Sequence, residues 1–298
     1  MIYLIDASVY VFRAYYSMPI EMVDRDGNAS NAVFGFARMM SDLLERLRPQ
    51  QMAVAFDESV LRASFRNRIY PAYKANRDPP PPSLVSQFQR CRELCRHLGV
   101  AAFGSTEYEA DDIIGTLSCT LRREGVTSAI LTRDKDLSQL IRQGDVYWDY
   151  GTRDQLGYHD MERRFGTAPE RFADYLALTG DAVDNIPGVP GIGPKTAAVL
   201  MKEFASLDEL YGNLERLPRM QKIRGPIALR ARLNEHRDRA YLARQLTGIA
   251  CDVPIEGGSE AVRRLPPDVE ALDDFYQRQG FGPTLRNQGR RLAQLPLN

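Results

Sequence analysis

Three short apolar runs in this chain end alike. Ile2–Ile5 leads into Asp6, Met52–Phe56 into Asp57, and Ala129–Thr132 into Arg133-Asp134. Runs of this length and composition read as buried strands. Amphipathic helical patterns separate them: in Ala32–Leu47, residues Val33, Phe36, Met40, Leu43 and Leu47 share one face. Strands alternating with helices predict a doubly wound, mainly parallel α/β sheet. Such sheets bind ligands beyond the carboxyl ends of their strands. Acids closing three strands would therefore meet on one edge.

A denser group of acids follows. EYEADDIIG, residues 107–115, places Glu107, Glu109, Asp111 and Asp112 within six positions. Carboxylates this close raise one another's pKa unless a cation neutralises them. Ala110–Leu121 reads as a helix, so Glu109 and Asp112, three apart, share a face near its start. Singly, each acid also suits a helix N-terminus or a loop. Asp6 is different, because it interrupts the most apolar part of the N-terminus. In TRDKDL, Asp134 and Asp136 stand two apart just past a strand and can face one side. Asp181 and Asp184 follow in GDAVDN. With no His or Cys among them, these are hard oxygen ligands, and Mg²⁺ or Mn²⁺ is the matching cation. Asp6, Asp57, Glu109, Asp111, Asp112, Asp134, Asp136, Asp181 and Asp184 make nine candidates, more than one hexacoordinate ion uses. Two ions about 3.5–4 Å apart fit better, positioning water and stabilising charge in an in-line displacement at phosphorus.

The partner is written in the cations. Formal charge is zero overall, yet Arg62, Arg66, Arg68, Lys74 and Arg77 fall in residues 60–77 without one acid. Phe65, Tyr70 and Tyr73 interleave with them, a mix suited to a nucleic-acid backbone and stacked bases. GVPGIGPKTAAVL looks like a nucleotide-binding loop, but Pro194 occupies the lysine position and no strand precedes it. It reads instead as a hairpin between helices, with Gly191 and Gly193 turning and Pro194 opening the second. Amides at that helix start would seat a phosphate, with Lys195 beside it. Cys91 and Cys95 fall on the core stripe of a helix expected to start at a Ser83 cap and end at Gly99. DPPPP, residues 78–82, is a stiff connector. No run approaches the roughly 18 apolar residues of a membrane span. Texture changes near 179, which sets domains at 1–178 and 179–298.

In this order, LIDASVYVFRAYY, AVAFD, SFRNRIYPAYKANR, YEADDIIG, LTRDKDLSQL and TGDAVDNIPGVPGIGPKTA closely resemble the bacterial 5′-3′ exonuclease and flap endonuclease family, which includes the N-terminal nuclease domain of DNA polymerase I. The match runs from Met1 to about Arg286. It implies a PIN-like α/β core, a helical arch over about 60–82, and a helix-three-turn-helix over about 181–204, followed by a C-terminal extension. It implies a first metal cluster of Asp6, Asp57, Glu109, Asp111 and Asp112. A second would hold Asp134, Asp136, Asp181 and Asp184, with Asp134 shared. Lys74 and Arg77 are the implied steering groups for the scissile phosphate, with Asp6 and Asp134 catalytic. Arg13, Arg66 and Tyr73 are implied DNA contacts, as are Gly188, Gly191, Gly193, Lys195 and Thr196, with K⁺ on the hairpin carbonyls. Ala7 departs from the glycine most relatives carry there, while all four second-cluster acids are kept. The chain ends soon after FGPTLRNQ, as in a stand-alone member.

The expected protein is a monomeric, cytoplasmic, nucleoid-associated nuclease acting on 5′ ends and flaps of DNA, with hand-off to polymerase and ligase. A non-catalytic junction binder would have lost metal acids, and a PIN-type nuclease would act on primer RNA. A phosphatase would carry Asp-x-Asp where Ser8 stands.

Overall fold

The computed structural model describes residues 1–58 and 64–295. Six strands form one sheet: β1 (Ile2–Asp6), β2 (Met52–Asp57), β3 (Ala101–Ser105), β4 (Ser128–Leu131), β5 (Val146–Asp149) and β6 (Asp154–Leu156), in the order β3-β2-β1-β4-β5-β6. Neighbours pair in parallel except β5 and β6, which are antiparallel.

Helices cover both faces. On one lie α1 (Ala7–Ser17), α2 (Asn31–Leu47) and, after the short α3 (Phe65–Ile69), α4 (Pro82–His97). They pack with Ile5, Met52, Val54 and Leu131 of the sheet. On the other, α5 (Ala110–Arg123) covers Ile2, Leu4, Ala53 and Ile130. The alternation Leu4/Ile5 and Ala53/Val54 onto opposite faces is the two-residue period of a strand buried on both sides. The connection changes face between β1 and β4, so the switch point opens at their carboxyl ends, beside Asp6 and Thr132.

Beyond α6 (Tyr158–Phe165), a second core joins α7 (Phe172–Thr179), α8 (Pro194–Glu203), α9 (Leu207–Gly212), α10 (Pro226–Glu235) and α11 (Arg237–Thr247). The chain then returns to the first core, where α12 (Val269–Arg278) and α13 (Pro283–Gln294) place Phe275, Tyr276 and Leu285 against α2 and α4.

Several expectations are corrected. The sheet is mixed, because the hairpin β5–β6 reverses direction, and the PIN-like core does not describe it. Among the described residues, 64–77 form no helical arch: they are a five-residue helix and turns folded down on the acids, with Tyr73 buried in the second core. Arg62 and the rest of 59–63 lie outside the described residues. The hairpin's first helix is α7, which ends before the expected 181–204 span begins. Helix α4 starts at Pro82, whose fixed φ suits a first helical position, and Ser83 instead meets the Tyr15 hydroxyl at 2.8 Å.

Candidate active site

Asp6 ends β1 and caps α1, accepting the Ser8 amide at 3.1 Å. Thr132, just past β4, ties two acids together: its hydroxyl donates to Asp6 Oδ2 at 3.0 Å and accepts the Asp134 amide at 2.9 Å. Asp134 in turn caps the 3₁₀ turn Lys135–Leu140, accepting the Asp136 amide at 2.9 Å. Asp57 closes β2, and Glu109 caps α5 with Asp111 in its first turn. A pocket of about 270 Å³ at this edge is lined by Asp6, Asp57, Glu109, Asp111 and Asp134 together with Lys74 and Arg77.

The acids are strained electrostatically. Burial, then Asp134, push Asp6 up to about 7. Burial with Asp134 and Asp6 raises Asp111 well above the usual carboxylate range. Asp136 rises to about 7, again through burial and Asp134. Asp134 therefore acts on three neighbours at once. Glu109 goes the other way, because Lys74 and Arg66 outweigh its burial and hold it low.

Lys74 Nζ donates to Glu109 Oε2 at 2.7 Å and lies 3.9 Å from Asp184 Oδ2. Its backbone is left-handed, φ +56°, which aims its amide at the Asp184 carbonyl at 2.9 Å. A non-glycine residue in that region costs about 1–3 kcal/mol, a cost that clusters at working sites. Arg77 pairs with Asp184, and the Tyr73 hydroxyl reaches Glu109 at 3.2 Å and Asp184 at 3.3 Å.

Not every expected residue joins this pocket. Asp112 is fully buried and takes a two-pronged ion pair from Arg66 at 2.7 and 2.8 Å, plus the Ala250 amide at 2.9 Å. Arg66 is itself buried and donates to the Leu246 and Gly248 carbonyls, so it clamps α5 to the end of α11 and is not a surface cation. Asp136 and Asp181 share Lys135. Arg13 lies against Gly151 on a separate cavity of about 380 Å³.

The hairpin is built on backbone proximity: a Cβ on Gly188 would come 2.3 Å from the Gly180 nitrogen. Gly191 turns at φ +75°, and Gly193 caps α8 with Pro194 following. Gly191, Gly193 and Lys195 are exposed, Thr196 half so.

Sequence reasoning missed Thr132, whose role depends on strand pairing, and Ser8, which lines the pocket and whose buried hydroxyl has no partner among the described residues. It also missed the cations of α10, of which Arg232 lies against Gly191. Their signal was present: residues 216–234 hold six cations and no acid. Among the described residues no helix is long and apolar enough to cross a membrane.

Two family models cover most of the chain: "5′-3′ exonuclease, N-terminal resolvase-like domain" matches residues 1–166, and "5′-3′ exonuclease, C-terminal SAM fold" matches 167–270. The resolvase-like match is the second reason the PIN-like assignment falls. DNA polymerase I of Rhizobium leguminosarum is 36% identical over 94% of this chain and 27% of its own length. The chain thus spans about a third or less of the polymerases it matches first. A 5′-3′ exonuclease of Buchnera aphidicola is 32% identical over 85% of this chain and 87% of its own. In three dimensions, bacteriophage T5 D15 flap endonuclease, solved with DNA and metal ions, aligns with a TM-score of 0.62 at 18% identity over 99% of each chain.

Proposed function

The chain belongs to the 5′-3′ exonuclease family, and from that premise we propose that it hydrolyses DNA phosphodiesters at 5′ ends and at the base of 5′ flaps. The observation that carries this reading is the pocket in which buried Asp6 and Glu109 and half-buried Asp57, Asp111 and Asp134 meet Lys74 and Arg77.

The donor chemistry fits divalent metal. Every donor is a carboxylate oxygen, the choice for Mg²⁺ with Mn²⁺ as substitute. The raised Asp6, Asp111 and Asp136 mark charge without enough compensation. Among the described residues no three such side chains already converge as a formed cage. Asp6, Asp57, Glu109, Asp111 and Asp134 would hold one ion, and Asp134, Asp136, Asp181 and Asp184 a second. Bound there, the ions would supply water activation and charge stabilisation at phosphorus.

The chain's own groups do the rest. Lys74 and Arg77 rest on Glu109 and Asp184, carboxylates the cations would also draw on. Turned to a phosphodiester, the two neutralise its non-bridging oxygens and hold it for in-line attack. Thr132 fixes the spacing of Asp6 and Asp134. The exposed start of α8, with Lys195 and Arg232, supports a duplex phosphate; K⁺ on the hairpin carbonyls belongs to the same reading.

The test is a 5′-labelled flap duplex and the matching single strand, each incubated in EDTA, Mg²⁺ or Mn²⁺, with product lengths mapped. The reading expects metal-dependent cuts near the flap base. Binding without cleavage in either metal would favour a junction-binding module, and preference for an RNA 5′ segment would favour primer removal.

A further inference from the structure

Cys119 and Cys251 play no part in this chemistry, yet the fold brings them together. They are 132 positions apart, and their sulfurs stand 2.9 Å from one another. Both are partly exposed. Cys119 lies in the C-terminal half of α5, the helix that begins with the acids, and Cys251 lies on the segment leaving α11. We infer that Cys119 and Cys251 are a redox modification site, at which a peroxide joins them in a disulfide that fastens the C-terminal helices to the acid-bearing helix.

The surroundings suit the first step. The hydrogen bond shared with Cys251, followed by Arg122 and other arginines acting against burial, draws Cys119 down to about 6. Cys251 is raised by the same bond. Thiolate at neutral pH, together with access, selects the cysteine that oxidises. The Cys119 thiolate attacks one peroxide oxygen, the O–O bond breaks, and hydroxide leaves to be protonated to water. Cys119 is then a sulfenic acid. The Cys251 sulfur attacks it, the S–S bond forms, and the second oxygen leaves as water with the Cys251 proton. Two thiols lose two electrons and one hydrogen peroxide becomes two waters.

The bond would close a seam that hydrogen bonds already mark. The Ala250 amide, next to Cys251, donates to Asp112 of α5, and Arg66 links that carboxylate to the Leu246 and Gly248 carbonyls. Cys91 and Cys95 serve as internal controls, because both are completely buried. This inference does not depend on the nuclease reading.

The experiment treats the full chain with hydrogen peroxide at neutral pH, then digests it without reductant for mass mapping. The expected result is a linked Cys119–Cys251 peptide pair, two hydrogens lighter than the reduced peptides and released by dithiothreitol, with Cys91 and Cys95 unmodified. Oxidised protein should melt about 5 °C above reduced, as closing a long loop predicts. In Cys251→Ser, dimedone should trap sulfenic acid at Cys119 and the melting shift should vanish. Separate over-oxidation of the two thiols, crosslinks only between molecules, or a crosslinked form that melts no higher than the reduced one would overturn the inference.

Discussion

Lys74 touches a carboxylate that a divalent ion would also use, and its left-handed backbone holds it there. Lys74→Met keeps the length of the side chain and removes the charge. Single-turnover cleavage should fall by about 10²–10³-fold, with duplex affinity changed much less, as quenched-flow and binding titrations would show. Asp6 makes a second case. Its folded pKa, about 7, lies above the ordinary 3.8, so between those values the folded state holds a proton the unfolded chain has released. That contribution to stability is present below pH 4 and is lost as pH rises through 7. In metal-free protein, Asp6→Asn keeps the cap on α1 and removes the charge. It should melt higher than wild type at pH 8, the gap closing toward pH 4, while cleavage is abolished. Thermal scans across pH would check it. These acids were readable because an Asp at the end of an apolar run has few structural excuses. Thr132 was not, since its value comes from a strand partner 126 positions away.

At the scale of elements, the hairpin separates two kinds of glycine. Gly188 sits where a Cβ would strike the Gly180 nitrogen at 2.3 Å, and backbone cannot swing aside; Gly193 faces open space. Gly188→Ala should cost about 1–3 kcal/mol and speed hydrogen exchange in α7 and α8. Gly193→Ala should leave exchange unchanged, so any loss of duplex affinity in it reports contact at the α8 start. The turn and its proline were legible in the sequence. Strands β3, β5 and β6 were not: AAFGS carries only a weak apolar signal, and DQL is paired only by its neighbour.

At the scale of the molecule, the two cores are joined through buried charge. Arg66 looked from sequence like a cation for DNA, because acid-free basic segments usually face solvent. The fold instead gives it Asp112 and two carbonyls, a pairing that sequence distance conceals. Arg66→Met strands the buried carboxylate and should lose about 3–5 kcal/mol in urea unfolding. Adding Asp112→Leu should recover much of it. Loss of DNA affinity with unchanged stability would return Arg66 to the surface role.

The proposed function needs the carboxylates around Asp134 to form a divalent-metal phosphodiesterase centre. Its most direct measurement is the single-turnover rate on a 5′-flap duplex in Mg²⁺ for wild type and Asp134→Asn, with binding of both measured in Ca²⁺. Wild type should cut near the flap base, the variant should be slower by about 10³-fold or more, and its binding should stay within about threefold of wild type. A wild-type protein that binds but never cuts, or a variant that cuts at the wild-type rate, would contradict it.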